Sequence, residues 1–203
     1  MSHLDSMEKD LLSLVSGRQG HFQFESGHHG DRWLQLETLC LRSRAIQPFT
    51  VELANRIAKY QVEAVCGPLV EGAFVALLVS LELGCEFTYA ERFADGGRAE
   101  LFPVQYRLPK SLHSAVKGKR VAIVNDVISA GSAVRGAFLD LQALGAKVLA
   151  IGALLGLGES VAHFAAEQGI AVELLKQMPH NLWTPAECPR CAAGEPLEIV
   201  GTS

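Results

Sequence analysis

The chain has 203 residues, 49% hydrophobic and 20% charged, with 18 basic against 22 acidic side chains and a formal net charge of −4. That length and composition fit one compact domain with a sizeable core rather than a disordered chain. With no polybasic run and no basic excess, nucleic acid is not expected as the main partner, because phosphate backbones require clustered Lys and Arg. A small anionic ligand stays open, since amides at a helix start bind anions without net positive charge.

The first twelve residues are mixed polar and acidic, with no basic segment followed by an apolar one, so no secretory signal is expected. The most apolar stretches, 73–81 and 148–157, are too short to span a bilayer, so no membrane partner is expected. The cysteine count is odd, at five, and Cys40, Cys66 and Cys85 stand singly among apolar residues. They read as reduced core residues, which points to a cytoplasmic location. Positions 4–16 predict a short amphipathic helix. In 20–39, Phe22, Phe24, Trp33, Leu34 and Leu36 alternate around the turn formers Ser26-Gly27-His28-His29-Gly30-Asp31, which predicts a small β element with a polar loop.

A helix is expected at 46–61, with Pro48 in its first turn. Strands then alternate with helices: strands at 62–66, 86–90, 120–125, 148–154 and 171–175, helices at 72–83, 132–144 and 159–168. That alternation predicts an α/β fold, a parallel sheet covered by helices on both faces. Residues 92–118 interrupt it with Asp95-Gly96-Gly97, Pro103 and Pro109, as expected of an irregular lid-like loop plus one edge strand. Ligands on such a sheet bind at the carboxyl ends of the strands, here the loops 67–72, 91–102, 126–132 and 155–159.

One segment carries the chemistry. Val121-Ala122-Ile123-Val124 is a buried strand with Asn125-Asp126 at its end; after Val127-Ile128, the small residues Ser129-Ala130-Gly131-Ser132 open a helix. Small residues before a helix let a phosphate approach the backbone N–H groups, and the helix dipole favours its charge. Asp126 is suited to accept hydrogen bonds from sugar hydroxyls or to hold the water shell of Mg²⁺. The alternative is an ordinary capped helix, with Ser132 as cap and Asp126 as a turn residue. Arg135, one turn into the helix, either reaches the ligand or lies on the surface. Cys188-x-x-Cys191 has metal-ligand spacing, but structural zinc takes about four ligands and nothing in the spacing supports His180 or Cys66 as partners. A reduced surface or packed pair is expected there, and a polar loop at His28-His29.

The stretch from Val121 to Ser132 resembles the phosphoribosyl pyrophosphate (PRPP) motif of type I phosphoribosyltransferases: four apolar residues, two acids, two apolar residues and a Ser/Thr-x-Gly-x loop. The segment from Gly20 to Gln35 resembles the N-terminal hood of the orotate phosphoribosyltransferases, and Cys66 to Ala73 their pyrophosphate loop. Tyr89-Ala90-Glu91-Arg92 resembles the strand entering their mobile loop, and the Cys188–Gly194 stretch the tail of some members. The resemblance implies a type I phosphoribosyltransferase-like sheet in a single domain, with a core at about 45–175. A hood at about 1–40 and a tail at about 176–203 complete it.

It further implies Mg²⁺-dependent transfer of phosphoribose from PRPP to a pyrimidine-type base such as orotate, in a homodimer. In that reading Val127, Ile128, Ser129, Ala130, Gly131 and Ser132 hold the 5′-phosphate, while Asn125 and Asp126 face the ribose, with Asp126 the Mg²⁺ contact through water. Gly67, Pro68, Leu69, Val70, Glu71 and Gly72 face the pyrophosphate, and Arg92 contacts it. Phe24, Ser26, Ser129 and Leu157 stand near the base. The chain departs from the family pattern at four places. Asn125 replaces an acid, and Glu71 stands where many members have Lys or Gly. The loop Phe93–Phe102 carries Arg98 but no Lys or His. Leu155-Gly156-Leu157-Gly158-Glu159 lacks the Asp-Arg pair that meets the orotate carboxylate. These departures keep open a phosphoribosyltransferase for another base and a non-catalytic or regulatory phosphoribosyl-binding protein.

Overall fold

The computed structural model describes residues 10–94, 101–102 and 104–200. A helical turn at 10–13 (α1) leads into the antiparallel pair β1 (Ser16–Gln23) and β2 (His29–Gln35). Next come α2 (Ser43–Ala58), β3 (Ala64–Pro68), α3 (Glu71–Leu83), β4 (Glu86–Ala94), β5 (Val104–Arg107) and the short α4 (His113–Val116). The chain continues through β6 (Arg120–Ile128), α5 (Ser132–Ala143), β7 (Lys147–Leu157), α6 (Ser160–Gln168) and β8 (Ala171–Met178). It ends with β9 (Leu182–Trp183), α7 (Pro189–Ala192) and β10 (Glu198–Ile199).

The main sheet has the order β5-β4-β3-β6-β7-β8, parallel except for β5, which runs antiparallel on the edge beside β4. Successive residues of β6 enter opposite faces, as the strand pleat requires. Val124 joins Leu53, Ile57, Val75, Val79 and Leu154 under α2 and α3. Ile123 joins Val134, Phe138, Leu141, Ile151 and Phe164 under α5 and α6. The alternation predicts this doubly covered parallel sheet. No helix among the described residues is long and apolar enough to cross a membrane.

Three boundaries differ from expectation. α2 begins three residues early, because Arg42 O already accepts from Ala45 N (2.8 Å) and Ile46 N (3.3 Å), so Pro48 lies beyond the first turn. β6 runs on to Ile128 and β7 to Leu157, since Val127 pairs with Leu155, which in turn pairs with Lys176 of β8. Asn125 and Asp126 therefore lie within a strand, and the stretch 155–157, expected as loop, is strand. The expected mobile loop falls mostly at 95–100, including Arg98, outside the described residues.

The hood is a second sheet of order β10-β1-β2-β9, so the tail supplies both of its edge strands. A bulge between Gln19 and Phe22 breaks the alternation of β1 and leaves the consecutive residues His21 and Phe22 both buried.

Candidate functional site

The chain order reverses between β3 and β6, the two central neighbours of the main sheet. Beyond their carboxyl ends a crevice is unavoidable, because the following helices α3 and α5 depart from adjacent strands in different directions. A cavity of about 240 Å³ opens there, lined by 68–72 from one loop, 125–134 from the other, and Phe24, Glu25, Ser26, Trp33 and Leu36 from the hood.

The 129–131 loop is shaped for an anion. Gly131 takes φ +85°, a left-handed conformation that glycine alone adopts without cost, and turns the chain directly into α5. No side chain caps that helix, so its first N–H groups keep free hydrogen-bonding capacity and the positive end of the dipole. Ser132 is the first helical residue rather than the cap. Ser129 Oγ is buried without a hydrogen-bond partner among the described residues. A buried orphan hydroxyl is costly unless a ligand completes it.

Facing this basin of N–H groups are carboxylates. Asp126 is 5% exposed, and burial pushes its carboxyl up to about 7; a hydrogen bond from the Val127 backbone opposes the shift and the charge of Glu71 adds to it. Glu71 opens α3, where its charge suits the helix dipole. Asn125 lines the cavity, but its Nδ2 donates to Val127 O at 2.8 Å, and its Oδ1 lies so close to Gly72 that any Cβ there would overlap it. Glycine at 72 is thus required by Asn125. The Leu69–Val70 peptide is cis, and Leu69 N donates to Ala90 O (2.9 Å).

Phe24 and Ser26 also line the cavity. Phe24 stacks near Trp33, with centroids 6.3 Å apart, while the Ser26 hydroxyl is engaged by His28 N and Nδ1 (3.3 and 3.1 Å). Two expected site residues lie elsewhere. Gly67 is packed under α3, where a Cβ would meet Ala73 and Ala76. Leu157, expected near the base, sits 6% exposed in the core beneath α2, because β7 extends through it. Arg92 lines the adjoining cavity at the hood mouth, where its Nε is bound to Glu25 at 2.8 Å. Arg135 stands outside the cavity, with its guanidinium over the rings of Phe102 and Phe164 at 5.2 and 4.4 Å.

Glu25 escapes the sequence reading of the site. Its second carboxylate oxygen accepts from Tyr106 Oη (2.9 Å), so one hood residue ties down both β4 and β5. Only its place inside the hood stretch hinted at it. Among the described residues no Lys or Arg lines the cavity that holds the 129–132 loop.

No protein-family model matches the chain. It is 27% identical over 184 residues to an orotate phosphoribosyltransferase of Caldanaerobacter subterraneus subsp. tengcongensis, covering 91% of this chain and 90% of that one. It is 29% identical over 197 residues to the orotate phosphoribosyltransferase of Thermotoga maritima, covering 97% and 98%. Among solved structures, orotate phosphoribosyltransferase from Aeropyrum pernix superposes with a TM-score of 0.64 at 18% identity, over 87% of this chain and 94% of that one. This chain has the type I phosphoribosyltransferase fold, and its curated sequence relatives are orotate phosphoribosyltransferases.

Proposed function

We propose that this protein transfers the phosphoribosyl group of PRPP to a pyrimidine-type base and releases pyrophosphate, as the names of its relatives indicate for them. The observation that carries the reading is the uncapped start of α5 above the buried hydroxyl of Ser129, which has no partner among the described residues. It offers a phosphomonoester several donors and no repelling carboxylate within the loop itself.

With the 5′-phosphate on residues 129–132, the ribose extends toward Asp126, whose oxygens accept from its hydroxyls, and the pyrophosphate toward 68–72. Bond breaking at the anomeric carbon leaves positive, oxocarbenium-like charge on the ribose. The carboxylates of Asp126, Glu71 and Glu25 around the cavity favour that charge without reorganising. The same carboxylates fit Mg²⁺, a hard cation that takes oxygen donors and retains several waters. Asp126 and Glu71 would hold it, and when bound it offsets the negative charge of the diphosphate. Arg92 reaches the leaving group once it exchanges Glu25 for pyrophosphate. The hood residues that line the cavity shield it from water.

One observation favours a base other than orotate. The wall formed by Phe24, Trp33 and Leu36 is aromatic and apolar, and the charged hood residue beside it is Glu25. A neutral pyrimidine suits that wall better than a carboxylate, because Arg92, the guanidinium at the hood mouth, is already paired with Glu25. A homodimer and a cytoplasmic location belong to the same reading. The first is supported by an exposed apolar stripe on α3, the second by the unpaired thiols of Cys40, Cys66 and Cys85.

Pyrophosphate release from PRPP and Mg²⁺, followed over a panel of bases, tests the proposal. Release with orotate or another pyrimidine supports transfer and identifies the base. PRPP binding with no release for any base would replace it with the non-catalytic phosphoribosyl-binding reading.

A further inference from the structure

A second cluster lies among residues that do not line the cavity. His21 of β1, His29 of β2, and Cys188 and Cys191 flanking the start of α7 bring one donor atom each to a common point, all within 4.8 Å of one another. His21 Nε2 lies 3.4 Å from His29 Nδ1, 3.3 Å from Cys188 Sγ and 3.7 Å from Cys191 Sγ; Cys191 Sγ is 3.2 Å from His29 Nδ1. A tetrahedral zinc with bonds of about 2.3 Å to sulfur and about 2.0–2.1 Å to nitrogen separates its ligands by about 3.3 Å (N to N) and about 3.5 Å (S to N). The observed distances cluster around those values.

Hydrogen bonding alone accounts poorly for the arrangement. A neutral imidazole nitrogen that lacks its proton has one lone pair, yet His21 Nε2 faces three neighbours at once. His21 Nδ1 lies 3.0 Å from Glu195 O, a pairing in which only the nitrogen can donate. That contact puts the proton on Nδ1 and the free lone pair on Nε2, aimed into the cluster, as second-shell carbonyls do for ligating histidines. His21, His29 and Cys188 are at most 5% exposed.

We propose that His21, His29, Cys188 and Cys191 bind one structural zinc ion that fastens the C-terminal tail to the hood. Two sulfurs and two nitrogens in a closed tetrahedron select zinc and leave no open position for chemistry. The consequence reaches the active site, because Phe24, Glu25 and Ser26 lie in the hairpin between the two histidine ligands. The ion and the strand pairings of β9 and β10 fix the same tail on the same sheet.

The test uses the full-length protein without a histidine tag, expressed with added zinc and purified without chelator or PRPP, so its result is independent of the catalytic reading. Elemental analysis is expected to find about one zinc per chain, falling below about a tenth in Cys191→Ser and His29→Asn. Exchange with Co²⁺ should give the intense visible bands of a tetrahedral site with thiolate-to-cobalt charge transfer, which the variants lose. Circular dichroism of each variant separates loss of the ion from loss of the fold. Cys191, being exposed, is the substitution expected to fold. The proposal is overturned if folded wild-type protein holds no stoichiometric zinc and gives no tetrahedral cobalt spectrum. Zinc retained equally by Cys191→Ser, or a Cys188–Cys191 disulfide found by mass in metal-free protein isolated under argon, would overturn it too.

Discussion

Among the described residues nothing bonds the Ser129 hydroxyl, so its worth to the empty protein and to a bound phosphate have opposite signs. Ser129→Ala should leave unfolding stability unchanged or slightly raised, because a buried orphan is removed. The same change should weaken a phosphoribosyl ligand by about tenfold to a hundredfold, the value of about 1.5–3 kcal/mol for a hydrogen bond to a charged group. Calorimetric titration with PRPP, beside urea unfolding, measures both. Asp126 makes a second asymmetric prediction. Its carboxyl titrates near 3.8 in the unfolded chain and at about 7 in the fold, chiefly through burial. A raised carboxyl contributes stability that is full below the unfolded value and is lost as pH rises through the folded one. The ligand-free protein should therefore lose stability between about pH 4 and pH 8, by up to about 4 kcal/mol from this group at about 1.4 kcal/mol per pH unit. Asp126→Asn should flatten the decline in urea unfolding. Added Mg²⁺ should stabilise the wild type more at pH 8 than at pH 5, where the carboxyl is protonated. Of the residues that build this site, the 125–132 run was legible because it is contiguous and its chemistry depends on local order. Leu157 was misplaced because its position depends on how far β7 stays paired to β8, which no local pattern records.

At the scale of elements, the periodicities located five of the six strands of the main sheet and every long helix, since each is set by which residues face the core; the edge strand β5 was expected only as somewhere within 92–118. Ends were harder: β6 continues through Asn125-Asp126 past its first apolar run, and β7 stays paired to the end of its own at Leu157, because neighbouring strands continue to offer partners. The hood was recognisable as a β element, but its two outer strands come from the tail, and no pattern in two-residue strands announces a partner so distant. Glu25 illustrates the same limit, since its bond to Tyr106 spans 81 positions. That residue couples the hood to β4 and β5 through two bonds, and the coupling is measurable. The ion pair is part-exposed, with Glu25 and Arg92 side chains 21% and 37% accessible, so a double-mutant cycle of Glu25→Gln and Arg92→Ala should yield about 0.2–1 kcal/mol. Glu25→Gln alone should also lower the protection of β5 from hydrogen exchange, because it weakens the Tyr106 anchor while leaving a neutral acceptor in place. A cycle value indistinguishable from zero, with β5 protection unchanged, would show that the hood is held by its packing alone.

At the scale of the whole molecule, α3 is the element out of keeping with an isolated chain. Surface helices carry one apolar stripe, whereas this one is apolar nearly all round, as a helix buried on both sides is. Its inner residues Val75, Ala76 and Val79 pack on the sheet, yet Phe74 (47%), Leu77 (48%) and Leu81 (73%) stand exposed, together with Val70 (55%) just ahead of the helix. Positions 70, 74, 77 and 81 fall on one line, so the outer face is a continuous apolar ridge. Burying the part of such side chains still exposed contributes about 1–2 kcal/mol each, doubled across a two-fold axis where each copy offers the same stripe. The ridge begins at the proposed pyrophosphate loop, so a partner seated on it would also brace the residues that face the leaving group. Light scattering during size exclusion should give a dimer for the wild type and a monomer for Leu77→Glu, with an unchanged circular dichroism spectrum because the altered side chain points away from the core. The monomeric variant should keep its affinity for inorganic phosphate, which residues 129–132 bind within one chain, and lose PRPP affinity through the loosened 68–72 loop. A wild type that stays monomeric at micromolar concentration would leave the ridge to some other partner.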